Sequence, residues 1–199
     1  MFAYCKDNPI NLSDPTGNVP IFPVCIGEDR YSYITDQEKE PVGSKEFGVA
    51  TVSHGGCGVV ASYNAMVSLG NPMSFDSVLD YYNRKMIFTL GWGLTGLHPF
   101  DIVNFFIEQG YSVSIAMDST TINARSQTAD ACIMYYEFPA TYLGFIPAYG
   151  AHFVEYHKTG NGYQATNTSE FGGIFVFESP TDYGSKGSRY NAMGIFIYK

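Results

Sequence analysis

Basic residues are scarce in this chain of 199 residues: 11 Lys and Arg stand against 19 Asp and Glu, for a formal net charge of −8. Tight binding to phosphates needs clustered Lys and Arg that release counterions, so this balance argues against nucleic acid as a partner and against a nuclease. Cysteine is sparse as well. Cys5, Cys25, Cys57 and Cys132 include no close-spaced CxxC pair, which leaves no disulfide framework and fits a reducing compartment; pairing of Cys5 with Cys25 stays open. Long apolar runs are missing too. The uncharged stretch 138–154 is broken by Pro139, Gly144, Pro147 and Gly150, so it cannot supply the roughly 20 apolar helical residues of a membrane span. MFAYCKDNPIN has neither the basic start nor the apolar middle of a secretory leader, so export is expected to use another route or a larger parent protein. The single Trp92 sits in a Gly-rich loop, where it either lines a cleft or joins the core.

What the chain has in quantity is apolar and aromatic surface: 45% hydrophobic residues, with 16 Tyr and 15 Phe. That excludes disorder, and a chain this long can bury about 70% of its surface in one core. Residues 28–46 hold nine charged residues in nineteen positions. They read as a linker between a turn-rich segment 1–27 and a compact domain 47–199.

Within that domain the apolar period changes. Val59, Val60, Tyr63, Met66 and Val67 follow helical spacing from Gly58 to a stop at Gly70. Ser74 caps a short second helix containing Phe75, Val78, Leu79 and Tyr82, and residues 100–109 form a third that ends at Gly110. Strands are expected at 111–117, 131–138, 152–158, 163–168, 173–178 and 193–198, where β-branched and aromatic residues lie between turn formers. Helices followed by an antiparallel sheet make the class α+β.

Cys57, in Ser53-His54-Gly55-Gly56-Cys57-Gly58, is expected just before the first helix. The positive end of the helix dipole and unpaired backbone N–H groups there favour a thiolate and can hold an oxyanion; the plain alternative is a buried structural thiol. His152 opens a strand that turns at Thr159-Gly160-Asn161-Gly162 into a strand ending at Asn167. With a two-residue loop at Gly160-Asn161 or Asn161-Gly162, or a four-residue loop, paired numbers sum to an odd total, so His152 and Asn167 share a face. In the Gly160-Asn161 or four-residue case they are diagonal neighbours within side-chain reach, and a three- or five-residue loop would break this. The Asn167 side-chain oxygen is then expected to accept one ring N–H, leaving the other nitrogen for Cys57. His157 falls on the opposite face from His152, and His54 with Cys57 finds no matching pair, so no metal is expected.

At these residues the chain resembles papain-like cysteine peptidases of the double-glycine type. The similarity runs over GGCGVVASYNAMVSLG, GLHPFDIVNFFIEQGYSV and GAHFVEYHKTGNGYQATNT, within residues 51–168. It implies a papain-like fold with N-terminal helices packed on a C-terminal sheet, Cys57 as nucleophile, His152 as general base and acid, and Asn167 as the group orienting His152. No cofactor is implied. The Gln that this family carries about six residues before the nucleophile is replaced here by Thr51, so Thr51, Ser53, His54 or the backbone would have to serve the oxyanion. Deamidases and transglutaminases share the thioester step and stay open, as does a non-catalytic binding module.

MFAYCKDNPINLSDPTGN is similar to the end of the core in Rhs/YD-repeat proteins, with Tyr4, Asn8, Pro9, Ile10 and Asn11 followed by the turn Asp14-Pro15-Thr16-Gly17. The resemblance implies that residues 1–27 are the remnant of a delivery scaffold. The domain at 47–199 would then be a toxin released from one bacterium and active on a protein or peptide in the cytoplasm of another, with a cognate immunity protein.

Overall fold

The structure, a computed structural model, describes residues 32–85, 96–142, 146–160, 162–168, 175–182 and 190–199. In chain order its elements are β1 (Glu46–Phe47), β2 (Ala50–Thr51), α1 (Val52–Gly55), α2 (Cys57–Ser68), α3 (Phe75–Lys85) and α4 (Pro99–Glu108). There follow β3 (Ser112–Ala116), α5 (Ser119–Ser126), β4 (Ala131–Tyr142), β5 (Ile146–Thr159), β6 (Gly162–Thr166), β7 (Phe175–Phe177) and β8 (Tyr190–Tyr198). The class is α+β: helices pack on an antiparallel sheet of six strands in the order β3-β8-β4-β5-β6-β7.

Both faces of the sheet centre are covered, which is why β4 begins with a continuous apolar run, ACIMYY, instead of alternating apolar and polar residues. Ala131 and Ile133 join a core with Val59, Val60, Met66, Phe105 and Ile195 on the side of α2, α3 and α4. Cys132, Met134 and Tyr136 face a second core containing Ile122 of α5, Val154, Tyr156 and Phe196.

Helix α2 is buried at every position from Cys57 to Met66, as expected of a helix apolar on all sides. Its two polar residues in that stretch are satisfied internally. Ser62 donates to the Gly58 carbonyl at 2.8 Å and lies 2.7 Å from the Tyr82 hydroxyl. Asn64 accepts from the Ile34 N–H at 2.9 Å and donates to the Ile34 carbonyl at 2.8 Å.

Several elements differ from the sequence reading. Cys57 is the first residue of α2, not the residue before it, and α1 is an extra helical turn ahead of it. Helix α4 starts at Pro99 because His98 caps it: the His98 Nδ1 accepts from the Phe100 N–H, and Asp101 accepts from the His98 N–H. Helix α5 interrupts the expected run of strands. STTINARS has a weak apolar period, and the readable signal was Asp118, whose side chain caps the helix by accepting from the Thr121 N–H at 2.8 Å.

The charged stretch read as a linker packs on the domain along its described part. Ile34 and Val42 lie against the core, Gln37 is buried, and Glu46–Phe47 pairs with β2. Glu38, Lys39, Glu40 and Glu46 are exposed, while Gln37, Gly43 and Phe47 near them are buried. Segment 1–27, with Cys5, Cys25 and the Asp14-Pro15-Thr16-Gly17 turn, lies outside the described residues, as does Trp92. Among the described residues, no helix is long and apolar enough to cross a membrane.

Candidate active site

The thiol is set by backbone geometry. Helix α1 closes with the Gly56 N–H donating to the Val52 carbonyl at 2.8 Å, and α2 begins at once, its Val60 N–H bonding the Gly56 carbonyl at 3.0 Å. A side chain at Gly56 would put Cβ 2.6 to 2.7 Å from Val52, so the two helical segments can meet this closely only through glycine. Cys57 consequently stands at the N-terminal end of a buried twelve-residue helix, 8% exposed.

His152 reaches the same place from β5, likewise 8% exposed. Burial opposes ionisation of the Cys57 thiol, but the hydrogen bond and charge of His152, with the backbone N–H groups of Phe153 and Gly58, outweigh it and bring the thiol below its ordinary range. Cys132 shows the opposite balance. Burial, then the charge of Glu155, pushes that thiol well above the ordinary range.

Strand pairing brings Asn167 to His152. Thr159 pairs with Gly162 and Glu155 with Thr166, the register that the two-residue alternative at 160 and 161 requires. Beyond Thr166 the chain turns, with Asn167 at φ 59°. This left-handed conformation, which Asn tolerates better than most residues, aims the backbone carbonyl at the imidazole, where it lies 2.7 Å from Nε2.

The expected contact is corrected here: the carbonyl meets His152, not the side-chain oxygen. The Asn167 side chain turns away to Gln37, its Oδ1 accepting from the Gln37 N–H and its Nδ2 donating to Gln37 Oε1, both at 2.9 Å. Because a carbonyl can only accept, Nε2 carries the proton in the neutral ring, and Nδ1 is left as the acceptor for the thiol.

The three expected oxyanion residues sit ahead of the thiol. Thr51 Oγ1 and Ser53 Oγ are 2.8 Å apart, and His54 is exposed on α1. His157 is engaged elsewhere: its Nδ1 lies 3.4 Å from Glu155 Oε2, and its ring stacks on Tyr33 with centroids 4.7 Å apart. Among the described residues no three His, Cys, Asp or Glu side chains gather as a metal site would need.

The sequence matches no family model, and it matches no curated protein. Among solved structures it is similar to the peptidase domain of Streptococcus ComA, a bi-functional ABC transporter involved in a quorum-sensing pathway. That likeness covers 71% of this chain and 90% of the other, at 13% identity and a TM-score of 0.45.

One residue at the site was not readable from the sequence. Gln37 lies in Thr35-Asp36-Gln37-Glu38-Lys39-Glu40, which has the composition of a solvated connection, yet it is only 9% exposed. Besides its two bonds to Asn167, its Nε2 donates to the carbonyls of Ser53 at 3.2 Å and Val52 at 3.4 Å. A buried amide within a charged run leaves no periodic signal. Its burial depends on the strap 32–37 being held by α2 and meeting Asn167 just beyond β6, both distant from it in sequence.

Proposed function

We propose that this protein is a papain-like cysteine peptidase acting as a toxin between bacteria, with Cys57 as nucleophile, His152 as general base and acid, and Asn167 orienting His152. The observation that carries the reading is the depressed Cys57 thiol at a helix N-terminus, in hydrogen-bond contact with an imidazole whose other nitrogen is held by a carbonyl. A structural thiol has no use for that arrangement, and Cys132 lacks it.

In this reading His152 takes the Cys57 thiol proton, the sulfur bonds to the carbonyl carbon of a scissile amide, and the carbonyl π electrons move onto oxygen. Backbone N–H groups at the start of α2 are the candidate donors to that oxyanion, with Thr51, Ser53 and His54 as side-chain alternatives. Collapse breaks the C–N bond, protonated His152 gives its proton to the departing amine, and a thioester remains. His152 then takes a proton from water, whose oxygen attacks the thioester and releases acid and thiolate. The Asn167 carbonyl holds Nε2–H throughout, keeping Nδ1 toward the sulfur.

The delivery scaffold at residues 1–27, the cognate immunity protein and action in a target cell's cytoplasm belong to the same proposal and rest on the sequence resemblance. Expression in a susceptible bacterium is the test. Growth arrest is expected for the wild type and not for Cys57→Ala or His152→Ala, with new protein termini in mass spectra of the arrested cells. Full toxicity in either variant refutes the site. Mass shifts of about one dalton without new termini, the difference between amide and acid, replace peptidase with deamidase.

A further inference from the structure

Gln37 places its N–H and both ends of its side-chain amide on three residues: Asn167, which holds the imidazole, and the carbonyls of Val52 and Ser53, just ahead of the thiol. We propose that Gln37 is a positioning residue of the site, clamping the Asn167 carbonyl against His152 and tying it to the backbone that carries Cys57. This rests on the assignment of Cys57 and His152 above and adds to it a residue 130 positions from Asn167 in the chain.

A clamp fixes what Asn167 can adopt but does not have to keep. Its φ of 59° is open to Asn more than to most residues, yet is held as a single state only where the surroundings select it. Gln37 does so with an exchange of two hydrogen bonds that occupies both ends of the Asn167 amide. With the side chain held from both ends, the peptide carbonyl has little freedom to swing, and it is the acceptor that sets the ring orientation of His152. A loosened acceptor lets the imidazole rotate, and small misplacements of a catalytic group are costly.

The strap carrying Gln37 is itself registered on the elements that carry the site. Asn64 of α2 binds Ile34 through both N–H and carbonyl, and its Nδ2 also donates to Oγ1 of Thr166, the residue before Asn167, at 2.9 Å. The Tyr63 hydroxyl donates to the Ser32 carbonyl at 2.9 Å. Gln37 is thus placed from α2, which carries Cys57, and from Asn167 just beyond β6, whose carbonyl holds the imidazole that β5 supplies.

The test is the pH dependence of Cys57 alkylation by iodoacetamide in the full chain, read by peptide mass spectrometry, so that no substrate is required. The wild type should show an inflection below the ordinary thiol range that His152→Ala abolishes. Gln37→Ala should raise the inflection and slow alkylation near pH 6 by roughly tenfold to a hundredfold, the usual scale for residues that orient a functional side chain. Asn167→Gly, which keeps the carbonyl but loses the clamp, should do the same, and the double variant should be no worse than the slower single one.

A merely structural tie would lower the thermal midpoint and leave the inflection in place. If Gln37→Ala does not fold, Gln37→Met, which keeps the volume, is judged by the same criterion. A low inflection that depends on His152 but is unchanged by loss of Gln37 overturns this inference and leaves the proposed function standing. Effects that multiply in the double variant overturn the clamp as well. A wild-type Cys57 with the profile of an ordinary thiol overturns both.

Discussion

Asn167 holds His152 through its backbone: the carbonyl oxygen lies 2.7 Å from Nε2, while the side chain of the same residue is turned to Gln37. The acceptor therefore survives any substitution at 167, and what a substitution changes is the conformation that aims it. At φ 59° an alanine Cβ costs about 1–2 kcal/mol that glycine does not incur. Asn167→Gly is expected to unfold at higher urea concentration than Asn167→Ala. Equal or reversed midpoints would show that the left-handed turn is not retained in solution.

The two described cysteines should react differently. Cys57 is drawn toward thiolate by His152 and two backbone N–H groups against the effect of burial, whereas burial and Glu155 keep Cys132 protonated. Brief treatment of the folded protein with iodoacetamide near pH 7 should modify Cys57 at least tenfold faster than Cys132, and the two rates should converge after unfolding. Preferential labelling of Cys132 in the native protein would contradict the electrostatics of the site.

Two glycines flank the thiol, and alanine should cost different amounts at each. At Gly56 a Cβ would meet the Val52 backbone at 2.7 Å, which cannot yield without moving α1, so Gly56→Ala should destabilise by about 1–3 kcal/mol. At Gly58 the nearest atoms are side-chain carbons of Leu97 and Ile102 at 3.0 to 3.3 Å. These can shift, and alanine gains about 1 kcal/mol of helix propensity over glycine, so Gly58→Ala should fall within roughly 1 kcal/mol of wild type. Urea denaturation ranks the pair, and a Gly58→Ala variant less stable than Gly56→Ala would reverse the packing argument.

Stability should depend on pH through His157. Burial disfavours its charged form, but the Glu155 carboxylate and hydrogen bonds to Glu155 and Gln164 outweigh this and raise its pKa above the usual histidine value. A group that binds its proton more tightly when folded stabilises fully below its unfolded value, near 6.5, and loses that contribution as pH rises through the folded value. The stability advantage of wild type over His157→Gln should thus shrink as pH climbs above about 6.5, on top of a constant part from stacking on Tyr33. An advantage that widens over that interval would mean that His157 is held neutral.

Local order was legible where one residue's preference met one environment. The strand-forming runs around Ile133, Val154 and Ile195 could be read because each side chain faces a core whose period its own element imposes, whereas α2, buried on every side, was legible from its apolar content and its stop at Gly70. The hairpin register was open to argument for the same reason: turn residues at 160–162 limit the pairing, and the pairing decides which face each residue shares. That His152 and Asn167 would come close is contained in that register.

The manner of their contact is not. The φ of Asn167, the choice of carbonyl over side chain and the burial of Gln37 all depend on the strap 32–37 being held by α2 and docking on Asn167. Hydropathy and spacing report only whether a residue seeks water and which way its own element faces it. Gln37 seeks hydrogen bonds as readily from solvent as from Asn167, so its charged neighbours make it look solvated. Only packing between segments far apart in the chain removes the water and leaves Asn167, Val52 and Ser53 as its partners.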